Sequence, residues 1–290
     1  MSSTSQRGVG LALVVAWLAM STAALGIVFA QPLHPLVIAV GRLSISTLAW
    51  AVLARNELLV LPRALRDVRG AVLLGGLVLA FHFGAWIWSL ELTSIAHATV
   101  LVATQPIFAG LLARLSGDRA GVWLYVGTAV ALGGTWLLAG ASDADSGWLG
   151  DTLALAAALA AGVYLLIGRR AAGRVSLAAY MTTLNAIACV ALLVAALGVG
   201  VEWRPASAGW QELAALLWLG LGPGFVGHGL MNWSARRVPV HLVSIAVLLE
   251  PVGATFLAWL AFGAGVSARE ALGAALLLAG AGLGLLPRRS

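Results

Sequence analysis

The sequence predicts an all-α, polytopic membrane protein with ten transmembrane helices in two inverted five-helix repeats. Three observations carry that expectation. The composition is oily, arginine alternates between successive loops, and the chain resembles itself at half its length.

Of the 290 residues, 61% are apolar and 10% are charged. The mean hydropathy is +0.98. A soluble domain carries about 45–50% apolar and about 25% charged residues, so this chain cannot cover a water-facing surface. The same shortage of charge excludes disorder and nucleic-acid binding, although the sequence pI is near 10.9. All 17 basic residues are Arg. Chemistry that needs a lysine, such as a phosphate-loop Lys or a Schiff base, is therefore excluded. A single Cys189 excludes an intramolecular disulfide and a thiolate metal cluster.

A helix needs about 20 apolar residues to cross the hydrocarbon core. Span 1 takes residues 8–30; its apolar stretch is longer than the roughly 7–15 residues of a signal-peptide core, so it reads as a membrane helix. Span 2 covers 33–54 and contains Arg42. Spans 3, 4 and 5 take 70–90, 92–113 and 120–142. Span 6 is built on 152–168, and spans 7 and 8 take 175–201 and 213–235. Span 9 covers 238–268 with Glu250, and span 10 is built on 271–287. The runs are continuously apolar and rich in Ala, Leu and Gly. Barrel strands would instead alternate over about ten residues.

Orientation follows from the arginines. Loops taken alternately from the N-terminus hold fourteen Arg in the odd set and two, Arg204 and Arg269, in the even set. Cytoplasmic loops are enriched in Lys and Arg, so both termini are expected in the cytoplasm. The chain divides at the acidic stretch Ser142–Gly147, into a first repeat over 1–142 and a second over 147–290. Five helices per half make the second repeat start on the opposite side. That is the inverted arrangement typical of secondary transporters. A shift of 145 residues aligns 75–115 with 220–260 at ten of 41 positions without a gap. Gly84/Gly229, Trp88/Trp233 and Pro106/Pro251 are among them.

Several segments resemble the drug/metabolite transporter superfamily, EamA type. Ser94-Ile95-Ala96-His97-Ala98-Thr99, running to Gln105-Pro106-Ile107, is similar to the family's fourth helix. Leu249-Glu250-Pro251-Val252 is similar to its counterpart in the ninth. Gly150-Asp151-Thr152-Leu153-Ala154-Leu155, with Tyr164 and Gly168-Arg169-Arg170, resembles the sixth. The Trp-rich, His-containing third span resembles the aromatic or broad-specificity amino acid exporter branch. The resemblance implies export of amino acids or related metabolites from a central cavity in a bacterial inner membrane, with no cofactor.

Polar groups inside spans are expensive and need a reason. His82 and Trp86 are four apart in span 3 and share a face; His228 and Asn232 do the same in span 8. Trp17 and Ser21 give span 1 a similar face. His82, Trp86, Trp17, His228 and Asn232 are therefore the candidate substrate-binding residues. The competing reading of the polar ones is interhelical hydrogen bonding. Span 8 carries Gly220, Gly222, Pro223, Gly224, Gly227 and Gly229, which weaken its ladder and allow a local shift. Pro106 and Pro251 remove backbone donors at matching depths and are candidate hinges.

Arg42 and Glu250 both fall near the midplane. In one account they pair, directly or through Gln105, and lock the structure. In the other Glu250 stands apart and carries a coupling proton. Pairing is favoured, because charges inside membranes commonly pair. The spacings Gly220/Gly224 and Gly280/Gly284 permit a homodimer. An intramembrane enzyme or a solute channel is the alternative function. Neither a metal motif nor paired carboxylates support the former, and Ser44, Ser46 and Ser244 lack a visible catalytic partner. The latter would call for rings of charges or carbonyls.

Overall fold

The computed structural model describes residues 3–57, 65–93, 95–117, 120–139, 147–203, 209–262 and 267–286. Arg63, Ser94, Arg119, Arg204, Arg288, Arg289 and the linker 142–146 lie outside the described residues. Every described element is helical: α1 Ser3–Ser21, α2 Ala23–Phe29, α3 Pro35–Leu53, α4 Arg69–Leu92, α5 Ile95–Val102, α6 Gln105–Ala113 and α7 Val122–Ala139. There follow α8 Trp148–Arg170, α9 Leu177–Val199, α10 Trp210–Leu219, a π-helical segment Gly220–Gly227, α11 His228–Ala235, α12 Val240–Leu248, α13 Glu250–Phe262 and α14 Ala268–Gly284. Among the described residues, seven helices are long and apolar enough to cross a membrane, and Val100–Ala113 and Val122–Leu138 are shorter apolar helices. Outward-facing Leu11, Leu48, Val194 and Leu197 are each more than 60% exposed, as lipid-facing side chains would be.

Local chemistry sets the ends. His34 Nδ1 accepts the Leu36 N–H at 3.1 Å, and Pro35 needs no donor partner at the start of α3. Ser176 caps α9 by accepting the Ala179 N–H, and Gly200 ends it in the left-handed conformation at φ 74°. Ser267 and Glu270 form a capping box on α14.

The prolines of spans 4 and 9 do more than kink. Span 4 is broken into α5 and α6, with Pro106 in the first turn of α6, and span 9 is broken into α12 and α13, with Pro251 in the first turn of α13. A proline is tolerated there because its missing N–H has no intrahelical acceptor.

The Cα packing forms two compact units, one of Met1–Gly84 with Ile167–Arg237 and one of Ala85–Leu166 with Val238–Ser290. In unit 1, α3 packs on α9 and on the π segment, and α1 packs on the π segment and α11. The contacts run through glycines. Gly220 meets the side chain of Ile45 and the carbonyl of Arg42, and Gly229 meets Trp50. On the other face, Gly76 meets Ile187 and the carbonyl of Leu184, and Gly84 meets Leu192.

Unit 2 is organised on α7 against α14. Gly127 lies on the Gly280 carbonyl and the Gly284 amide, and Gly280 lies on the Gly127 carbonyl and the Ala131 amide. Gly134 and Gly273 form a second reciprocal contact two turns away. The register makes the two helices antiparallel. Small residues are needed here because lipid gives no hydrophobic drive for helix association, so close backbone contact must hold the pair. The Gly220/Gly224 and Gly280/Gly284 spacings are thus used within the chain, against Ile45 and Ser46 and against Gly127, Ala131 and Ile245.

Candidate functional site

The polar side chains singled out in the sequence fall in both units. In unit 1, Arg42 on α3 is 2% exposed. Its Cζ lies 4.6 Å from the centroid of the Phe83 ring on α4. His228, at the start of α11, meets the same ring edge-on at 5.5 Å, and His82 is tilted against it at 5.1 Å. His228 is also within electrostatic reach of both Arg42 and His82. A cation over an aromatic face in a desolvated setting contributes about 2 kcal/mol. Phe83 therefore acts as the platform on which three cation-capable side chains converge. The histidines keep the larger residual exposure of the cluster, at 9% and 8%.

The π segment places His228. Pro223 lies inside it and donates no backbone hydrogen bond, and Gly222, Gly224 and Gly227 present no side chains. Its wide turn inserts one residue into span 8 immediately before the histidine. π-Helical segments within α-helices are frequently found at functional sites. Phe225, within the segment, packs on Trp50 at 4.6 Å between centroids.

Asn232 shares a helix face with His228 but is turned elsewhere. Its Nδ2 donates to the His228 carbonyl at 2.9 Å, and its Oδ1 faces Gly168. Trp17 is half-buried, and Ser21 Oγ donates to its carbonyl at 2.8 Å. Trp86 is half-buried in unit 2. Of the proposed substrate residues, His82 and His228 are brought together, with Arg42 joining them. Asn232 Oδ1 is buried with no hydrogen-bond partner among the described residues, and Nδ2 is occupied by its own helix. At its end Arg236 Nη1 donates to the Val175 carbonyl at 2.9 Å, beneath which Tyr180 is fully buried. Burial lowers the Arg236 pKa from its ordinary value, and Tyr180 partly offsets that shift.

In unit 2, Gln105 Nε2 donates to Ser244 Oγ at 3.4 Å, and Ser244 donates to the Val240 carbonyl at 3.1 Å. Glu250 is half-buried and is the first residue of α13. A carboxylate there is stabilised by the positive end of the helix dipole. The serines considered as nucleophiles hold structural bonds: Ser44 donates to the Val40 carbonyl at 2.8 Å, and Ser46 accepts from Asn185 Nδ2 at 3.0 Å.

Two buried residues of unit 1, Phe83 and Asn185, escaped the sequence reading. Phe83 is apolar in an apolar span and carries no signal of its own; only its alignment with His228 under the 145-residue shift marks it. Asn185 is a polar residue in span 7, 3% exposed, and the rule that found His82 applies to it equally.

The model of the EamA-like transporter family matches the chain twice, over residues 6–140 and 148–286. A solved structure, described only as a crystal structure of a protein, is 22% identical, with 96% of each chain covered and a TM-score of 0.82. That likeness concerns the fold. No curated protein matches the chain.

Proposed function

The chain belongs to the EamA-like transporter family, and we propose that it exports amino acids, aromatic or of broad specificity, or related small metabolites. It is a multi-pass membrane transporter of small solutes with two EamA repeats. The mechanism we propose is alternating access through a central cavity. The observation that carries the reading is the buried cluster of His82, Phe83, His228 and Arg42, set beside an interrupted helix. Transporter sites typically combine buried polar groups with helices whose ladders are broken. Trp17 and Trp86 are proposed to contact the solute's side chain, with Asn232 as a supporting residue. Pro106 and Pro251 are the proposed hinges, and Glu250 is the candidate coupling charge.

Ten crossings and an inverted repeat belong to the same proposal. Their support is a correspondence among close contacts. In unit 1, the contacts of Gly76 with Ile187 and Leu184 repeat those of Gly220 with Ile45 and Arg42, and Gly84 on Leu192 repeats Gly229 on Trp50. Residues of α3 and α9 correspond at one constant offset throughout. Phe83 and His228, equivalent under the 145-residue shift, touch each other. In unit 2, each glycine of the α7–α14 pair sits on the backbone of the other helix in the same way. Such reciprocity is the property of a two-fold contact.

Counterflow of a radiolabelled amino-acid panel in proteoliposomes tests the function. His82→Ala and Trp86→Ala should lower the rate at normal membrane expression, and normal transport by both would move the site elsewhere. Orientation has a separate test. In a Cys189→Ala background, cysteines replace Ser2, Ser146 and Ser290, which lie outside the described residues. Only the one at position 146 should react with an impermeant thiol reagent outside intact cells, because both termini are proposed to face the cytoplasm of a bacterial inner membrane. Any homodimer would use a face other than the glycine spacings already packed within the chain.

A further inference from the structure

We propose that unit 1 carries a docking groove for a phospholipid whose headgroup ends in a primary ammonium, with Glu212 as the group that holds the ammonium. The groove has a volume of about 540 Å³, within the range of small-molecule sites. Leu33 and Val37 line one side of it and Leu213 and Leu216 the other, with Trp203, Trp210 and Glu212 completing the rim. Its floor is apolar, because Leu33 and Val37 pack with Ala215 and Leu219 in one buried cluster. Both α3 and α10 begin here, so the groove lies at the end of unit 1 opposite Arg55 and Arg236. Trp210 is 84% exposed, and Leu213, Leu217 and Leu221, spaced by four residues, are exposed along span 8. The groove therefore runs into an outward-facing leucine stripe, as an acyl-chain path would.

The remaining chemistry selects the headgroup. Trp suits the membrane–water interface because its ring is apolar and its N–H is a donor, and Trp203 and Trp210 bring two such donors to the rim, where a phosphate would accept them. Glu212 supplies the charge. Its Oε2 accepts the Gly209 N–H, and among the described residues no cation acts on it. A carboxylate held by a backbone N–H in the first turn of a helix keeps its negative form, and it has a further oxygen with which to accept from an ammonium. The described charges at this end of unit 1 are Glu202 and Glu212, both negative. Their field repels an anionic headgroup and favours one that ends in a cation. A trimethylated ammonium has no N–H to donate, so a charge-assisted hydrogen bond to Glu212 separates an ethanolamine headgroup from a choline one.

In the test, purified full-length protein in detergent receives phosphatidylethanolamine, phosphatidylcholine or phosphatidylglycerol with the same acyl chains, and bound lipid is counted by native mass spectrometry. The wild-type protein should bind phosphatidylethanolamine about tenfold or more tightly than either of the others, the scale of one charge-assisted hydrogen bond. Glu212→Gln should erase that preference and leave the thermal midpoint without lipid in place, because the Gln carbonyl can still accept the Gly209 N–H. Equal binding of the three lipids by the wild type, or tighter binding of phosphatidylglycerol, overturns the inference. So does an unchanged preference in Glu212→Gln. If Glu212→Gln does not fold, the wild-type ratio and a Trp203→Phe, Trp210→Phe double variant decide. That variant keeps both rings and loses both N–H donors, so its phosphatidylethanolamine binding should weaken about threefold or more, and unchanged binding counts against the site. Displacement of the bound lipid by phenylalanine would assign the groove to the transported solute and also overturn the inference.

Discussion

Alanine at Gly134 should destabilise the protein, whereas alanine at Gly133, one residue away, should not. A Cβ at Gly134 would fall 2.5 Å from both the Gly273 carbonyl oxygen and the Leu277 amide nitrogen. Those are backbone atoms of α14 and have no rotamer through which to yield. The helices would have to separate, losing van der Waals contact along the pair and the weak Cα–H···O bonds that close approach allows. Overpacking of this kind costs about 1–3 kcal/mol, and valine should cost more. At Gly133 a Cβ meets nothing within 4 Å. Alanine there should be neutral, or stabilising by about 0.5–1 kcal/mol from helix propensity. Thermal unfolding of the two variants in detergent gives the comparison. Equal midpoints would mean that α7 and α14 are not in this register. Gly280→Ala, which faces the Gly127 carbonyl and Ala131 on the same helix pair, should behave like Gly134→Ala.

Much of this was legible in the sequence because lipid imposes few solutions. Helix follows from the need to satisfy backbone groups without water, and the apolar runs give the positions of the helices. His82 and His228 stood out because a polar group in a span is costly. The glycines of span 8 marked a weak ladder but not its form. A π turn and a simple bend share the same composition, and only the hydrogen-bond pattern separates them. The surroundings of Arg42 were not legible. Charge gave no hint of an aromatic neighbour, yet the structure puts Arg42 on Phe83, and it has Gln105 donate to Ser244. An apolar ring as the partner of a cation leaves no mark in a hydropathy profile. Break points were legible only as prolines: Pro106 and Pro251 predicted kinks, and the helices in fact stop and restart there.

Removing Val226 together with Pro223→Ala should leave a folded protein that no longer transports. Gly76 and Gly84 bring α4 onto α9 across eight residue steps, whereas the corresponding Gly220 and Gly229 use nine. The π segment, Gly220–Gly227, lies within that interval and absorbs the extra residue. Deleting one residue restores the spacing that α4 uses, so both glycine contacts on α3 can be kept. Pro223 has to change as well, because proline inside a regular helix clashes with the carbonyl four residues back and costs about 3 kcal/mol. What the double variant loses is the wide turn ahead of His228. In the proposed alternating-access mechanism, that turn is the place where span 8 changes register while its ends stay packed. Transport should fall by about tenfold or more, the scale of 1.4 kcal/mol on the barrier. The midpoint of thermal unfolding should stay near that of Pro223→Ala alone, and Pro223→Ala alone should still transport. Counterflow at the wild-type rate in the double variant would reduce the π segment to packing. Failure of the double variant to fold, with Pro223→Ala intact, would refute the equivalence of the two glycine intervals. A stable, correctly inserted, inactive protein is the expected result, because both glycine contacts of span 8 are kept while the wide turn ahead of His228 is lost.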